Sequence, residues 1–458
     1  MSGRVARRGR RLVAVRAYRM PPDGACRAVD IRVRTSAHRC RSSLLLEWRY
    51  VRLPARRPLS CICGAPCGSC RAYPVVQRGA AQEMTSMNAD HKRFDYLEIL
   101  RFILAFLTMT WHYYYFGPSV GTIHATPVHG FVIRFFSFSV EIFFIISGFI
   151  ITASAINRSP VSFLIGRVAR LGPCLLVCAT LSLAVGLLLG RWPTPLSYVA
   201  SILIVPLAFT NGADWSYWSL RLEIIFYAVV FVTMCIANIR KSVLWIALLL
   251  TSCDVLSIAS VKLFGNDVFG TAMSQYPVER YLSFFAIGML LYQLMVAKKI
   301  SIATVGALSI AVCAGAFRCY EDANRIAKLV GDTPVNAFTG GAILAVGIVA
   351  FIGFLRGTAS PRAARIFAAL GSTSYPLYLI HQNMGYLIVG FVDAKLGHGI
   401  DSRPFVMIGM VVLASGIALY LEPVLARQYR RFLTYSATTV SLAWARMPGS
   451  KRSYGDAD

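Results

Sequence analysis

The sequence predicts an all-α polytopic membrane protein of about ten transmembrane helices with both termini in the cytoplasm. Three observations carry that expectation. Of 458 residues, 56% are hydrophobic and 15% charged, with a mean hydropathy of +0.57, a composition that excludes an ordinary soluble globular domain. From residue 97 onward, apolar runs of 18 to 25 residues recur, each long enough to cross a ~30 Å hydrocarbon core at ~1.5 Å per residue. Basic residues gather in every second loop between those runs, the asymmetry that orients membrane helices.

Residues 1–83 are a separate piece. They hold 18 Arg, no Lys and four acidic residues, so +14 of the chain's +26 lies there. No apolar run or sustained period offers enough buried surface to offset the entropy of ordering them. The expectation is a disordered Arg-rich extension or an over-extended start, with Met84 or Met87 as natural beginnings. An Arg-rich arm for nucleic acid or anionic lipid and a metal site in Cys61-Ile-Cys63-Gly-Ala-Pro-Cys67-Gly-Ser-Cys70 compete with it. That cysteine run lacks the two C-x2-C knuckles separated by a longer loop that a zinc module needs, so no metal is expected, and no nucleic-acid partner either.

The ten spans fall at 97–116, 131–155, 171–190, 216–238, 242–261, 278–296, 300–317, 336–355, 366–391 and 404–424, with 196–211 as a short interfacial or re-entrant segment. A membrane domain over 84–432 and a short cytoplasmic tail over 433–458 follow. One set of loops carries 15 bases, Lys92 and Arg93 through Arg427, Arg430 and Arg431; the alternate set balances seven bases against seven acids. The positive-inside rule puts the first set, and both termini, in the cytoplasm.

Ionisable residues inside such spans cost about 2.5–3.5 kcal/mol each on insertion scales, which makes each a candidate for function. The first span holds Arg101 and His112, which lie on one side of the helix because eleven residues at ~100° fall within ~20° of whole turns, about 16 Å apart along the axis. A permanent cation near the inner end and a titratable imidazole nearer the outer end fit a polar channel; His112 beside Trp111 and Tyr113-Tyr114-Tyr115 equally fits an aromatic belt. Glu141 stands in the second span, ahead of the small pair Ser147-Gly148 that lets helices approach closely. Arg167 and Arg170, in the inner loop before Pro173, set two guanidinium forks at i and i+3, a pattern that suits a diphosphate or lipid headgroups. Glu223 shares a helix face with Tyr227 at i+4 and fits a partner for Arg221, a partner for another helix's cation, or an orienting group for an imidazole. His381, mid-membrane in the ninth span, reads as a buried histidine satisfied by its neighbours.

No P-loop, G-x-G-x-x-G, H-E-x-x-H or G-x-S-x-G sequence occurs. A proton-coupled exporter of a glycan or lipid-linked precursor could use an intramembrane Arg, His and Glu as a relay; a polybasic scaffold that binds lipid would leave those residues without purpose.

Taken in order, Arg101 through His112, Glu141-Ile-Phe-Phe-Ile-Ile-Ser147-Gly148-Phe149, Arg167-x-x-Arg170, Trp218-Ser219-Leu-Arg-Leu-Glu223 with Tyr227, and Tyr375-Pro-Leu-Tyr-Leu-Ile-His381-Gln382 resemble the acyltransferase-3 family, integral membrane O-acyltransferases that modify bacterial surface glycans. The resemblance covers nearly all of 92–432. It implies a multi-pass enzyme of the bacterial inner membrane, an acyltransferase for groups other than aminoacyl, with acetyl-CoA or another acyl-CoA as cytoplasmic donor and a carbohydrate hydroxyl outside, on O-antigen or exopolysaccharide, as acceptor. It further implies Arg101 and His112 as the essential first-helix pair, His112 as general base, Arg167 and Arg170 as the donor contact, and Glu223 as a supporting catalytic residue. Residues 1–83 have no counterpart in the family pattern. An alcohol is a poor nucleophile, and an imidazole of ordinary pKa near 6.5 can take its proton as it attacks a thioester, worth about 10²–10⁴-fold.

Overall fold

The computed structural model describes residues 12–19, 27–34, 95–190, 195–203, 214–265, 278–357, 359–396 and 400–446. The cysteine run at 61–70, the starts at Met84 and Met87, and Lys92, Arg93, Arg191 and Asp267 of the loop count lie outside them. The chain divides into two units, 1–75 and 76–458. In the first, β1 (Leu12–Arg19) and β2 (Arg27–Arg34) pair antiparallel, Leu12 opposite Arg34 and Arg19 opposite Arg27.

The second unit is helical: α1 (Asp95–Trp111), α2 (Ser139–Ile156), α3 (Pro160–Leu188), α4 (Pro195–Leu203), α5 (Trp218–Ile236), α6 (Ile239–Phe264), α7 (Leu282–Met295), α8 (Ile302–Val330), α9 (Ala337–Arg356), α10 (Pro361–Ile380), α11 (Asn383–Leu396), α12 (Arg403–Gly416) and α13 (Glu422–Arg446). Several starts are written locally. The side chains of Ser159, Asn238, Ser301, Asn336 and Ser360 each accept a hydrogen bond from a backbone N–H of the first turn, relieving donors that a helix leaves unpaired. Pro160 and Pro361 occupy the first helical position, where a missing N–H does no harm. Gly265 and Gly331, at φ 68° and 71°, end α6 and α8 in the left-handed conformation that a side chain resists.

Seven helical stretches are long and apolar enough to cross a membrane: 133–156, 160–188, 215–236, 239–264, 302–330, 337–356 and 403–436. The other three expected spans are helical too but shorter or more polar. They are α1, of 17 residues, with the wide turn His112–Phe116; α7, of 14; and α10 with α11, whose first turn carries Arg362 and Arg365. Large apolar side chains stand on the outside, among them Leu188, Ile236, Trp245, Phe338 and Val346, a surface suited to lipid rather than water. The protein is a multi-pass membrane protein.

Three expectations need correction, and a fourth, the segment 196–211, is described only in part. Arg167 and Arg170 are not in a loop: α3 begins at Pro160, so both lie in its second and third turns and Pro173 is inside the helix. The ninth span is not one helix, because it breaks at His381-Gln382 into α10 and α11. Of the interfacial segment 196–211, helix is described over Pro195–Leu203. The boundary at 432 falls inside α13, which runs to Arg446.

Packing brings α10 against α1, α2 against α7, α6 against α7, and α13 against α3. The backbones of α2 and α7 approach closely at the small pair anticipated to allow it. A Cβ on Gly148 would stand 2.2 Å from the Phe285 carbonyl oxygen, and one on Gly288 2.0 Å from that of Ile145, so the two backbones touch where only glycine fits. The contact turns Ser147, beside Gly148, toward α5.

Candidate active site

Five helices enclose one cavity of about 770 Å³. Arg101 of α1, Arg167 and Arg170 of α3, Ser147 of α2, Ser219, Glu223 and Tyr227 of α5, and Ser374, Tyr375 and Tyr378 of α10 line it, with Val140, Phe143, Phe144, Ile146, Ile150, Ile151, Leu171 and Leu220 as its apolar wall. Four of the five expected site residues therefore converge. On the wall, three guanidinium groups face one carboxylate.

Their anchoring differs. Arg101 Nη1 donates to Glu98 Oε2 at 3.3 Å, one turn back on α1. Arg167 Nη2 donates to Ser154 Oγ at 2.8 Å while its guanidinium lies over the rings of Phe163 and Tyr227; its Nε finds no partner. Among the described residues, Arg170 makes no ion pair or hydrogen bond. Glu223 accepts on Oε1 from Ser147 Oγ, at 3.2 Å, and from Tyr227 Oη, and takes no ion pair among the described residues. Tyr227 at i+4 is thus a direct partner, as the helix period requires, and Glu223 does not orient His112. The wall keeps unsatisfied hydrogen-bonding capacity, and even with Glu98 behind Arg101 its three guanidinium groups outnumber the two carboxylates, Glu98 and Glu223, which suits an anionic ligand.

His112 is not on the wall. It opens the wide turn 112–116, and its Nδ1 lies 2.7 Å from Tyr386 Oη of α11. Its ring centroid is 5.0 Å from that of His381, and the ring of Tyr378, which does line the cavity, is 5.4 Å from that of His381. From cavity to His112 the order is therefore Tyr378, His381, His112. The break that sets His381 here is built from distant residues. Tyr113 Oη donates to the His381 carbonyl at 2.9 Å, and the backbone N–H of Asn383 donates to Asp214 Oδ2 at 2.9 Å. Asp214, just before the 215–236 span, also accepts from Ser216 N and Oγ at 2.8 and 2.7 Å. Burial pushes its pKa up to about 6, against these hydrogen bonds, which pull it down.

Tyr386, Tyr113 and Asp214 carry no advance signal as site residues, because each acts across more than 150 positions of chain, and Tyr378 has none beyond lying in the segment 375–382. His381 is not satisfied by its neighbours: it is fully buried and its Nε2 has no hydrogen-bond partner. Glu141 is buried in the first turn of α2, off the cavity wall, with Oε2 unpartnered. No group of three or more His, Cys, Asp or Glu that could hold a metal ion occurs among the described residues.

Residues 94–422 match the family model of the acyltransferase-3 type, described as an acyltransferase domain. The chain is also similar to the exopolysaccharide production protein ExoZ of Rhizobium meliloti (strain 1021), with 28% identity over 317 residues, which is 64% of this chain and 91% of that protein. No solved structure matches the chain.

Proposed function

The chain belongs to the acyltransferase-3 family, and from that premise we propose that it is an O-acyltransferase of the bacterial inner membrane. It moves an acyl group, acetyl from acetyl-CoA as the family default, onto a hydroxyl of a carbohydrate outside the cytoplasm. The observation that carries this reading is the convergence of Arg101, Arg167 and Arg170 on one cavity whose wall holds a single carboxylate, Glu223. Planar guanidinium forks suit the diphosphate of CoA.

In this reading ten helical segments cross the bilayer and both termini are cytoplasmic, so Arg167 and Arg170, early in α3, face the donor side. His112 works from the far side. Its Nδ1 is held by Tyr386, which leaves Nε2 to take the proton of the acceptor hydroxyl as the oxygen attacks the thioester carbonyl. A C–O bond forms, the C–S bond breaks, and the departing thiolate receives the proton. The acceptor is exopolysaccharide, a choice supported by the similarity to a protein named for exopolysaccharide production.

A deletion strain complemented with wild-type chain, or with His112→Ala, tests this by mild-base release of ester-linked acetate from envelope polysaccharide. The expected result is acetate lost in the deletion, restored by the wild type and at least 100-fold lower with His112→Ala, at equal amounts of membrane-inserted protein. Unchanged ester content in all strains would overturn glycan acetylation.

A further inference from the structure

His381 has no task in the reaction just described, yet its placement is specific. It occupies the break between α10 and α11 and is fully buried. Its Nδ1 lies 2.8 Å from the Tyr378 carbonyl oxygen. A carbonyl only accepts, so Nδ1 carries the ring hydrogen and Nε2 keeps its lone pair. That Nε2 has no partner, although leaving a buried acceptor unsatisfied costs about 1–3 kcal/mol. The ring stands between His112, 5.0 Å away centroid to centroid, and Tyr378 on the cavity wall. His112 Nδ1 is engaged by the Tyr386 hydroxyl, which can accept from it and so leave Nε2 as the basic nitrogen, and Nε2 makes no hydrogen bond among the described residues.

We propose that His381 is the proton-holding partner of His112, and that the single proton that acyl transfer moves passes between the two imidazoles, whose rings are adjacent although their Nε2 atoms are not hydrogen-bonded to each other in this structure. The inference rests on the acyl-transfer reading and deepens it. His112 takes the proton from the acceptor hydroxyl as the C–O bond forms. His381, adjacent to the cavity wall where the thiol departs, supplies that proton to the thiolate as the C–S bond breaks. One proton enters the pair and one leaves, so both rings end neutral. The arrangement accounts for two features at once: the general base is off the donor cavity, and the intervening imidazole has its free lone pair in a sealed place.

The test uses inside-out membrane vesicles containing the full chain, labelled acetyl-CoA outside, and label recovered from vesicle glycan by mild base. His381→Asn retains an N–H for the Tyr378 carbonyl and removes the basic nitrogen. Its kcat is expected to fall at least tenfold, with KM for acetyl-CoA within twofold and unchanged thermal midpoint. In His381→Ala, added imidazole restores part of the rate, whereas 1,2,4-triazole, of the same size and much weaker basicity, does not. His381→Asn within twofold of wild type, a raised KM with unchanged kcat, or equal rescue by both azoles overturns the proposal; if neither azole restores activity, the kcat and KM of His381→Asn decide alone. A wild-type chain that transfers no label brings down the acyl-transfer reading itself and this inference with it, whereas an active wild type beside an unaffected His381→Asn removes only the latter.

Discussion

The helical unit contains two sets of buried and half-buried arginines that differ in what faces them. Around Arg318 each guanidinium is paired with carboxylates, although Arg280 Nε, Asp254 Oδ2 and Asp322 Oδ2 have no hydrogen-bond partner. Arg318 Nε reaches Asp254 Oδ1 at 2.7 Å, its Nη1 Glu321 at 2.8 Å and its Nη2 Ser257 at 3.0 Å, while Arg280 reaches Asp322 at 3.0 Å and Glu321 at 3.5 Å. These contacts tie α6, α8 and the 278–281 turn into one block. In the cavity the pairing is thinner: Arg101 reaches only Glu98, at 3.3 Å, Arg167 only the Ser154 hydroxyl, at 2.8 Å, and Arg170 has no ion pair or hydrogen bond among the described residues, with Glu223 the one carboxylate on the wall. Burial of arginine alone thus says little about role: a guanidinium whose donors are spent on carboxylates holds helices together, and one whose donors remain free is available to a ligand.

The largest effect expected from that contrast is on the paired set. Arg318→Ala leaves Asp254, at 0% exposure, charged and alone, which costs about 3–5 kcal/mol; detergent-solubilised protein should show a sharply lower thermal midpoint or fail to accumulate. Arg318→Met with Asp254→Leu should regain most of it. A double variant as unstable as the single would mean that the block needs its charges for more than pairing.

Asp214 is the intermediate case, a buried carboxylate held by hydrogen bonds and no guanidinium. Its folded pKa, raised from 3.8 to about 6, means the folded protein binds the proton more tightly than the unfolded chain. Its contribution to stability therefore falls as pH rises from about 4 to about 6 and is flat above, a change of up to about 3 kcal/mol. Thermal midpoints of wild type minus Asp214→Asn, measured across that window, should show the slope, and parallel curves would rule it out.

The smallest effect on stability, and a selective one on catalysis, belongs to Arg170. Arg170→Ala should leave the thermal midpoint within experimental error of wild type and raise KM for acetyl-CoA about tenfold, about 1.4 kcal/mol of donor binding, as read in labelled-acetyl transfer by membrane vesicles. A destabilised variant with unaltered KM would move Arg170 into the structural set and dissolve the comparison.

The sequence by itself determined what depends on near neighbours. Apolar run length set the helices, serine and asparagine caps set several starts, and the i+4 rule joined Glu223 to Tyr227, because those interactions close within one or two turns. Arg101 and Glu223 stood out because intramembrane charge is rare, whereas Arg167 and Arg170, expected in a loop, were marked by their i, i+3 spacing and joined to the others only by the family resemblance. Only the tertiary structure decided how far that site extends. Arg101 and His112 share a helix side, but about 16 Å of rise separates them, and α10 places Tyr378 and His381 between the cavity and the imidazole. The break at His381 is held by Tyr113 and Asp214, 268 and 169 positions away from their acceptor and donor, and His112 is held by Tyr386 across 274. No local period encodes such pairings, since each is stable only when the helices carrying both partners have packed.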